Sequence, residues 1–359
     1  MLVIHASGQY TTRTVTDSSA PHRYPLVPTL LLLTLLLGVT LLVAVMIGEV
    51  SLPPGVILRA VGHRLAPALV GGADPITTGI VFDLRLPRVL LAALVGAALA
   101  VAGAVLQGLT RNPLADPYTA GVSSGASVGA GAAILLGIDA VWNGLGGSVL
   151  AFVAALLTLA LVFSLSRVGG RVHTAGFLLA GVVVGSFLWS ITTLLLSLAH
   201  TDQNRLLQFL MGRFGEARWV QVGFLFPLTS VGVALFAAAG RGLDAFAFGE
   251  ETARSVGVDT ERFKAGTLAL AALLTAASVA VAGIIGFVGL IAPHAARTLV
   301  GPPHRGLIPA SALIGAILCV VSDLIARTAV PGIELPVGVV TALIGAPFFA
   351  GLLRRQMGA

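Results

Sequence analysis

The chain has a single lysine, Lys264, in Glu261-Arg-Phe-Lys264, and its setting decides what phosphate chemistry is open to the molecule. A phosphate-cradling loop needs Gly-x-x-x-x-Gly-Lys followed by Ser or Thr, because the lysine must reach the terminal phosphates from a bed of backbone amides. No such run occurs in the 359 residues, so any ATP-driven role requires a second polypeptide. Gly121-Val-Ser-Ser-Gly125 matches the Gly-x-Ser-x-Gly of a hydrolase elbow. That motif needs a strand before it, a helix after it, and Asp and His within reach. Here it opens an apolar helix in the Gly/Ala-rich stretch 121–131, which favours close helix packing or a polar pore lining over a nucleophile at Ser123. The seven histidines show no metal-ligand spacing; His294, beside Pro293, reads as a structural or interface residue. Cys319 lies in an apolar run and reads as a small core residue. Asp323 and Arg327 stand four apart and share a helical face. Pairing lowers the cost of both charges in a membrane; the alternative is that Arg327 points outward to a partner. No metal and no cofactor are expected.

The elements that position these residues follow from bulk chemistry. Hydrophobic residues make up 57% of the chain and charged ones 10%, against roughly 25% charged in soluble domains. Much of the outside must therefore face lipid, and a spanning helix needs about 20 apolar residues. The sequence predicts an all-α, polytopic bundle of about ten spans, near 26–48, 86–109, 117–137, 145–166, 175–199, 219–239, 265–282, 284–300, 307–326 and 335–353. Segments 53–72 and 202–216 carry charges and read as short interfacial helices or loops. Segment 243–259 is too polar to span, and its apolar positions Leu243, Phe246, Ala253 and Val256 suit a surface helix. Residues 1–25 form a polar tail, and the apolar run after it is too long for the core of a cleaved signal. The 21 basic residues split 13 to 8 in favour of the side holding both termini, which places the termini in the cytoplasm. Being dispersed between apolar segments, they do not form a nucleic-acid surface. Arg85, Arg88 and Arg327 fall outside and are candidates for binding an acidic partner. Val101-Ala-Gly103 with Pro113 is echoed by Val281-Ala-Gly283 with Pro293, a weak sign of two related halves.

Eight stretches in order resemble one family, the permease subunits of type II ABC importers for iron–siderophore complexes, haem and vitamin B12. They are Leu84-Arg-Leu-Pro-Arg88, Gly103-Ala-Val-Leu-Gln107, Asn112-Pro-Leu-Ala-Asp-Pro117, Gly121-Val-Ser-Ser-Gly-Ala126, Gly249-Glu-Glu-Thr-Ala-Arg-Ser-Val-Gly257, Gly286-Phe-Val-Gly-Leu-Ile-Ala-Pro-His294, Asp323-Leu-Ile-Ala-Arg327 and Glu334-Leu-Pro-Val-Gly338. The resemblance implies a ten-helix permease domain over 26–359 behind a cytoplasmic tail, in a multi-pass inner-membrane protein resembling the vitamin B12 importer permease. It implies a homodimer around a central pathway, two cytoplasmic ATPase subunits and an extracytoplasmic substrate-binding protein. Arg85, Arg88 and Arg327 would pair with acidic residues of the binding protein, a task suited to the planar guanidinium fork. Residues 243–257, with Gly249, Glu250, Ala253 and Gly257 at the motif positions, would be the cytoplasmic coupling helices seated in the ATPase. Asn112, Leu114 and Thr174 would form the cytoplasmic gate, although Ala175 stands where the family's vitamin B12 member has a second hydroxyl. The chain itself would not be an enzyme, and its cargo would be a ferric siderophore, with haem or cobalamin as alternatives. Arg213 has no role in this scheme. An ion-coupled secondary transporter and an intramembrane hydrolase built on Ser123 are the rivals from other classes.

Overall fold

In lipid, backbone N–H and C=O groups must be satisfied within the segment that carries them, so long apolar runs become helices. The computed structural model describes residues 24–48, 52–65, 74–138, 141, 145–169 and 171–357, and their fold is helical nearly throughout. The tail ahead of the first span therefore lies outside the described residues up to position 23.

The helices are α1 (Leu26–Met46), α2 (Pro54–Leu65), α3 (Pro75–Thr110), α4 (Val122–Leu135), α5 (Gly146–Ser166), α6 (Thr174–Leu198) and α7 (Gln203–Met211). They continue with α8 (Trp219–Ala238), α9 (Gly240–Ala247), α10 (Glu250–Ser255), α11 (Thr260–Ala282), α12 (Val288–Val300), α13 (His304–Thr328) and α14 (Val337–Met357). Among the described residues, 7 helices are long and apolar enough to cross a membrane: α1, α3, α5, α6, α8, α11 and α13. The other three expected spans fall on the shorter or interrupted helices α4, α12 and α14. A two-residue hairpin, Arg167–Val168 against Arg171–Val172, interrupts the helical order just before α6.

Helix α3 is longer than its apolar run. It begins at Asp74, whose carboxylate accepts the Thr77 amide and hydroxyl, with Pro75 at the first helical position. Those two bonds hold the Asp74 carboxyl below the ordinary aspartate range. Within α3, Ile80–Arg85 widens into a π segment just ahead of Pro87. A proline ring would collide with the carbonyl one turn back and cannot donate to it, and a π turn relieves both.

Helix α3 is the axis of the bundle: 78% of its most apolar window is buried. It can be enclosed because its neighbours come to backbone contact. A Cβ on Gly96 would collide with the Gly315 carbonyl of α13, and one on Gly103 with the Gly289 carbonyl of α12. Small residues at helix crossings replace the hydrophobic drive that lipid does not supply. Gly96→Leu is expected to lower stability by about 1–3 kcal/mol through overpacking, read as a drop in thermal midpoint in detergent; an unchanged midpoint would mean α3 and α13 do not meet there.

The same packing answers two sequence questions. Ahead of Ser123 stands a 3-10 turn, Pro117–Ala120, and not a strand. Gly121 abuts the Gly181 carbonyl of α6, while Gly125 and Gly129 abut α5, so the Gly-x-Ser-x-Gly run is a packing seam. Gly103 lies inside a helix, whereas Gly283 ends one at φ +72°, so the echoed tripeptides do not occupy equivalent positions. Cys319 is buried against Gly96, a core residue as expected.

Candidate functional site

Two clusters of charge, at opposite ends of α13, account for most of the sequence-predicted site residues. At the first, Arg88 Nε donates to both oxygens of Asp323 at 3.0 and 3.1 Å, and its Nη2 reaches Asp323 at 2.8 Å. The same Nη2 reaches Glu334 at 2.7 Å. Asp323 is only 1% exposed. Its first partner is thus Arg88 of α3 and not Arg327 of its own helix, which stands at 3.5 Å. The distant pair wins because the guanidinium of Arg88 meets the carboxylate in two-pronged register.

Arg85 and Arg327 have another task. Arg85 Nη1 donates to the carbonyls of Val45 and Met46 at 2.8 and 3.1 Å, and Arg327 Nη2 donates to Ala44. These are the last carbonyls of α1, which have no N–H donor within the helix, at its partially negative end. Two arginines from α3 and α13 therefore close the end of α1. From the sequence, Arg85, Arg88 and Arg327 are candidates for an acidic partner, with pairing of Arg327 to Asp323 left open. The structure buries Arg85 and leaves Arg88 14% exposed, with Glu334 lying outside it at 42%. Glu334 is held there by its loop: Leu335 N donates to Ala326 O, and Val337 N to Gly212 O.

At the opposite end, the polar segment after α8 is two helices. Gly249, at φ +120°, makes the break between α9 and α10 in a conformation that side chains rarely adopt. Leu243, Phe246 and Ala253 are buried as expected, and Phe246 stacks on Phe263 at 5.3 Å between centroids. Val256 is not: it is 65% exposed beyond the end of α10, and Phe248 is 79% exposed. The break at Gly249 turns both away from the bundle. Gly257, at φ +88°, ends the segment in open space.

Lys264 is what fastens this segment down. Its ammonium, 5% exposed, lies 3.0 Å from Glu250 of α10 and 3.1 Å from Glu261. Glu261 in turn accepts the backbone N–H of Val172 at 3.2 Å, two residues before α6 begins at Thr174. Asp244 of α9 accepts the His304 backbone N–H at 2.9 Å and lies 2.6 Å from His304 Nδ1, so α9 is tied to the start of α13. Asn112 and Leu114 follow the end of α3, where Arg111 turns left-handed; Asn112 Oδ1 accepts Leu114 N at 2.9 Å and leaves the leucine side chain exposed.

Sequence reasoning used Lys264 to exclude a phosphate loop and in the charge balance, although Glu261 one turn before it was a readable partner. Asp244 and His304, 60 positions apart, carried no such signal. Gln107 was quoted within a motif; it is buried, donates to Gly289 O at 3.0 Å, and accepts from Arg297 of α12 at 2.8 Å.

Helix α6 adds a third feature. Ser186, Ser190, Thr193 and Ser197 recur at helical spacing, and each hydroxyl donates to the carbonyl four residues back. All four lie on the exposed side of the described chain, beside bulky Leu179, Val183, Phe187 and Leu194. A satisfied hydroxyl offers water a polar wall without gripping a solute.

A bundle of membrane helices with an ion-paired network at one end and a fastened, polar helical projection at the other fits a multi-pass membrane transport subunit. The chain belongs to the FecCD transport family, whose model it matches over residues 35–355, and this makes it a permease of the type II ABC importers for iron chelates, haem or vitamin B12. It is 46% identical over 277 residues to the cobalamin import system permease protein BtuC of Halobacterium salinarum, covering 77% of this chain and 74% of that one. It is 39% identical over 286 residues to the hemin transport system permease protein HmuU of Yersinia pestis, covering 76% and 83%. Among solved structures, an inward-facing conformation of a metal-chelate type ABC transporter superposes with a TM-score of 0.78 at 32% identity, covering 91% of this chain and 99% of that one. In this family the ATPase sits on separate subunits, and the permease works with them and with a binding protein.

Proposed function

We propose that two copies of this chain, each a single permease domain over 26–359 with both termini in the cytoplasm, enclose a central path that carries a ferric siderophore inward. The carrying observation is the hydroxyl stripe of α6, Ser186 to Ser197, which suits a wall that a large chelate passes without lodging. Two of the named relatives are import permeases for a cobalt corrinoid and an iron porphyrin, both bulky metal-centred solutes, which supports a chelate and leaves haem and cobalamin as the second reading.

The two charged ends take the two partners. At the outer end, acidic side chains of the binding protein engage Arg88 by displacing Glu334, the more exposed of its two carboxylates. Arg85 and Arg327 support that contact by fixing the end of α1. At the inner end, Gly249, Glu250, Ala253 and Gly257 shape the α9–α10 projection, and exposed Phe248 and Val256 supply apolar surface for the ATPase. Asn112, Leu114 and Thr174 form the gate at the inner mouth. Nucleotide-driven closure of the ATPases shifts the projection, and the tie through Lys264, Glu261 and Val172 passes the shift to the start of α6.

The test is reconstitution of the chain with its ATPase and binding protein in vesicles, followed by uptake of ferric siderophores, haem and cobalamin. Accumulation of a ferric siderophore that requires ATP and both partners is the expected result. Equal uptake without the ATPase, driven by an ion gradient, would overturn the reading in favour of a secondary transporter; ATP-driven uptake of haem or cobalamin alone would move the cargo to the second reading.

A further inference from the structure

Between the projection and the Arg88 network, α3 and α13 run antiparallel and meet at three levels. At one end Arg88 grips Asp323. In the middle Gly96 and Gly315 touch backbone to backbone, and a Cβ on either would collide with the other's carbonyl. At the other end Gly108 lies against the ring of His304, where a Cβ would stand 2.4 Å from Nε2. From Arg88 to Gly96 to Gly108, and from Asp323 to Gly315 to His304, the steps match to within one residue. The pair thus stays in register over about 30 Å, at about 1.5 Å per residue.

His304 also belongs to the projection. Its backbone N–H and its Nδ1 both face one oxygen of Asp244 in α9, at 2.9 and 2.6 Å. An ionised carboxylate only accepts, so Nδ1 carries the ring proton. Nε2 is left against α3, buried and without a hydrogen-bond partner among the described residues. The ring is held by its place as a wedge and not by a bond on that side. The next residue, Arg305, presses on Gly240, the first of α9, its backbone N 2.9 Å from where a Cβ would stand. Helix α9 is therefore fastened to the start of α13 at two successive turns, and the ring of His304 sets both against α3.

Coupling between distant sites is carried by rigid elements and the bonds that join them. We propose that His304 is a positioning residue for coupling: with Asp244 it seats α9 on the α3–α13 pair, and through that pair the projection and the Arg88 network bias each other. A shift of α9 at one end changes how firmly Arg88 is held between Asp323 and Glu334 at the other. The partner docked at the Arg88 end then binds with an affinity that depends on what the ATPase holds, and linkage makes the ATPase's affinity for nucleotide depend on that partner. The identity of the two partners rests on the proposed function. The connection is separate from the tie through Lys264, which leads to α6.

The permease with its ATPase, in nanodiscs, is titrated with the binding protein, first without nucleotide and then with a non-hydrolysable ATP analogue. In wild type the two affinities should differ by about fivefold or more, the usual range for coupled sites. Asp244→Ala should bring them within about twofold of each other. Asp244→Asn, which keeps an oxygen to accept both His304 groups, should preserve most of the difference. A role confined to stability would lower the thermal midpoint of Asp244→Ala and leave the ratio of affinities in place, which would overturn the proposal. Should Asp244→Ala release the ATPase, His304→Gln carries the test: it leaves α9 intact, keeps the backbone bond to Asp244, and should at least halve the difference. A wild-type ratio retained in both Asp244→Ala and His304→Gln overturns the proposal and leaves the transport reading standing. A wild type with ATP-driven uptake whose docking ignores nucleotide does the same. A wild type that shows neither docking nor uptake overturns both.

Discussion

Replacing Arg88 by alanine is expected to cost about 3–5 kcal/mol of stability, the range for removing one partner of a buried ion pair. The loss comes less from the bonds themselves than from Asp323, which is 1% exposed and would keep its charge among apolar neighbours. Arg327, at 3.5 Å, compensates in part, which places the effect at the lower end of that range. Removing both charges, in Arg88→Met with Asp323→Leu, should recover much of the loss, because well-packed apolar side chains often replace a buried pair at little cost. Glu334→Gln should cost under about 1 kcal/mol, its side chain being more than a third exposed and its interaction screened by water. The measurement is the unfolding midpoint of the four proteins in one detergent; adding Arg88→Met and Asp323→Leu alone closes a double-mutant cycle on the pair. Equal midpoints for wild type and Arg88→Ala would mean that the pair does not hold α3 to α13.

The second large effect is on coupling. Lys264→Met removes the only lysine and with it the tie among α10, the base of α11 and the start of α6. Its two glutamates are 40% and 32% exposed, so they turn to water and the fold survives with a modest loss of about 1–2 kcal/mol. Transport should fall by more than tenfold while the ATPase still co-purifies and still hydrolyses ATP, because the projection then moves without moving α6. Lys264→Arg, which keeps the charge, should restore part of the coupling. Normal transport in Lys264→Met would remove the tie from the mechanism.

How much of this was legible beforehand differs by element. The long apolar runs around Leu30, Val153, Phe187 and Leu235 could be read directly, because lipid leaves a segment of that composition one solution. The short helices were harder. Val122–Leu135 and Val288–Val300 are 14 and 13 residues long, and at 1.5 Å per residue each falls short of a bilayer core of about 30 Å. Helix α3 was placed from Leu86 because apolarity begins there. Its true start at Pro75 is signalled by Asp74-Pro75, a local pattern that hydropathy does not weigh. The polar segment 243–257 was readable as non-spanning, but Val256 was assigned to the buried face because periodicity carries through a break that Gly249 introduces. The arginines were recognised from their motifs, but the contacts that Arg85 and Arg88 make within the chain were not. Arg88 meets Asp323 across 235 positions and Glu334 across 246, and nothing local encodes such a meeting.

The closed end of α1 has a consequence for the order of assembly. Helix α1 leaves the ribosome before α3 and α13, but the side chains that cap its last turn come from Arg85 and, 283 positions after Ala44, from Arg327. It is also a lightly enclosed span, with 22% of its window buried. A nascent chain that has inserted helices only as far as α3 thus holds α1 in lipid with the Ala44 carbonyl bare and a loose seat. The helix locks when α13 arrives, so one late event finishes α1, pairs Asp323 and closes the bundle. Chains stalled before residue 304 should be recognisable to membrane quality control by an unseated first helix.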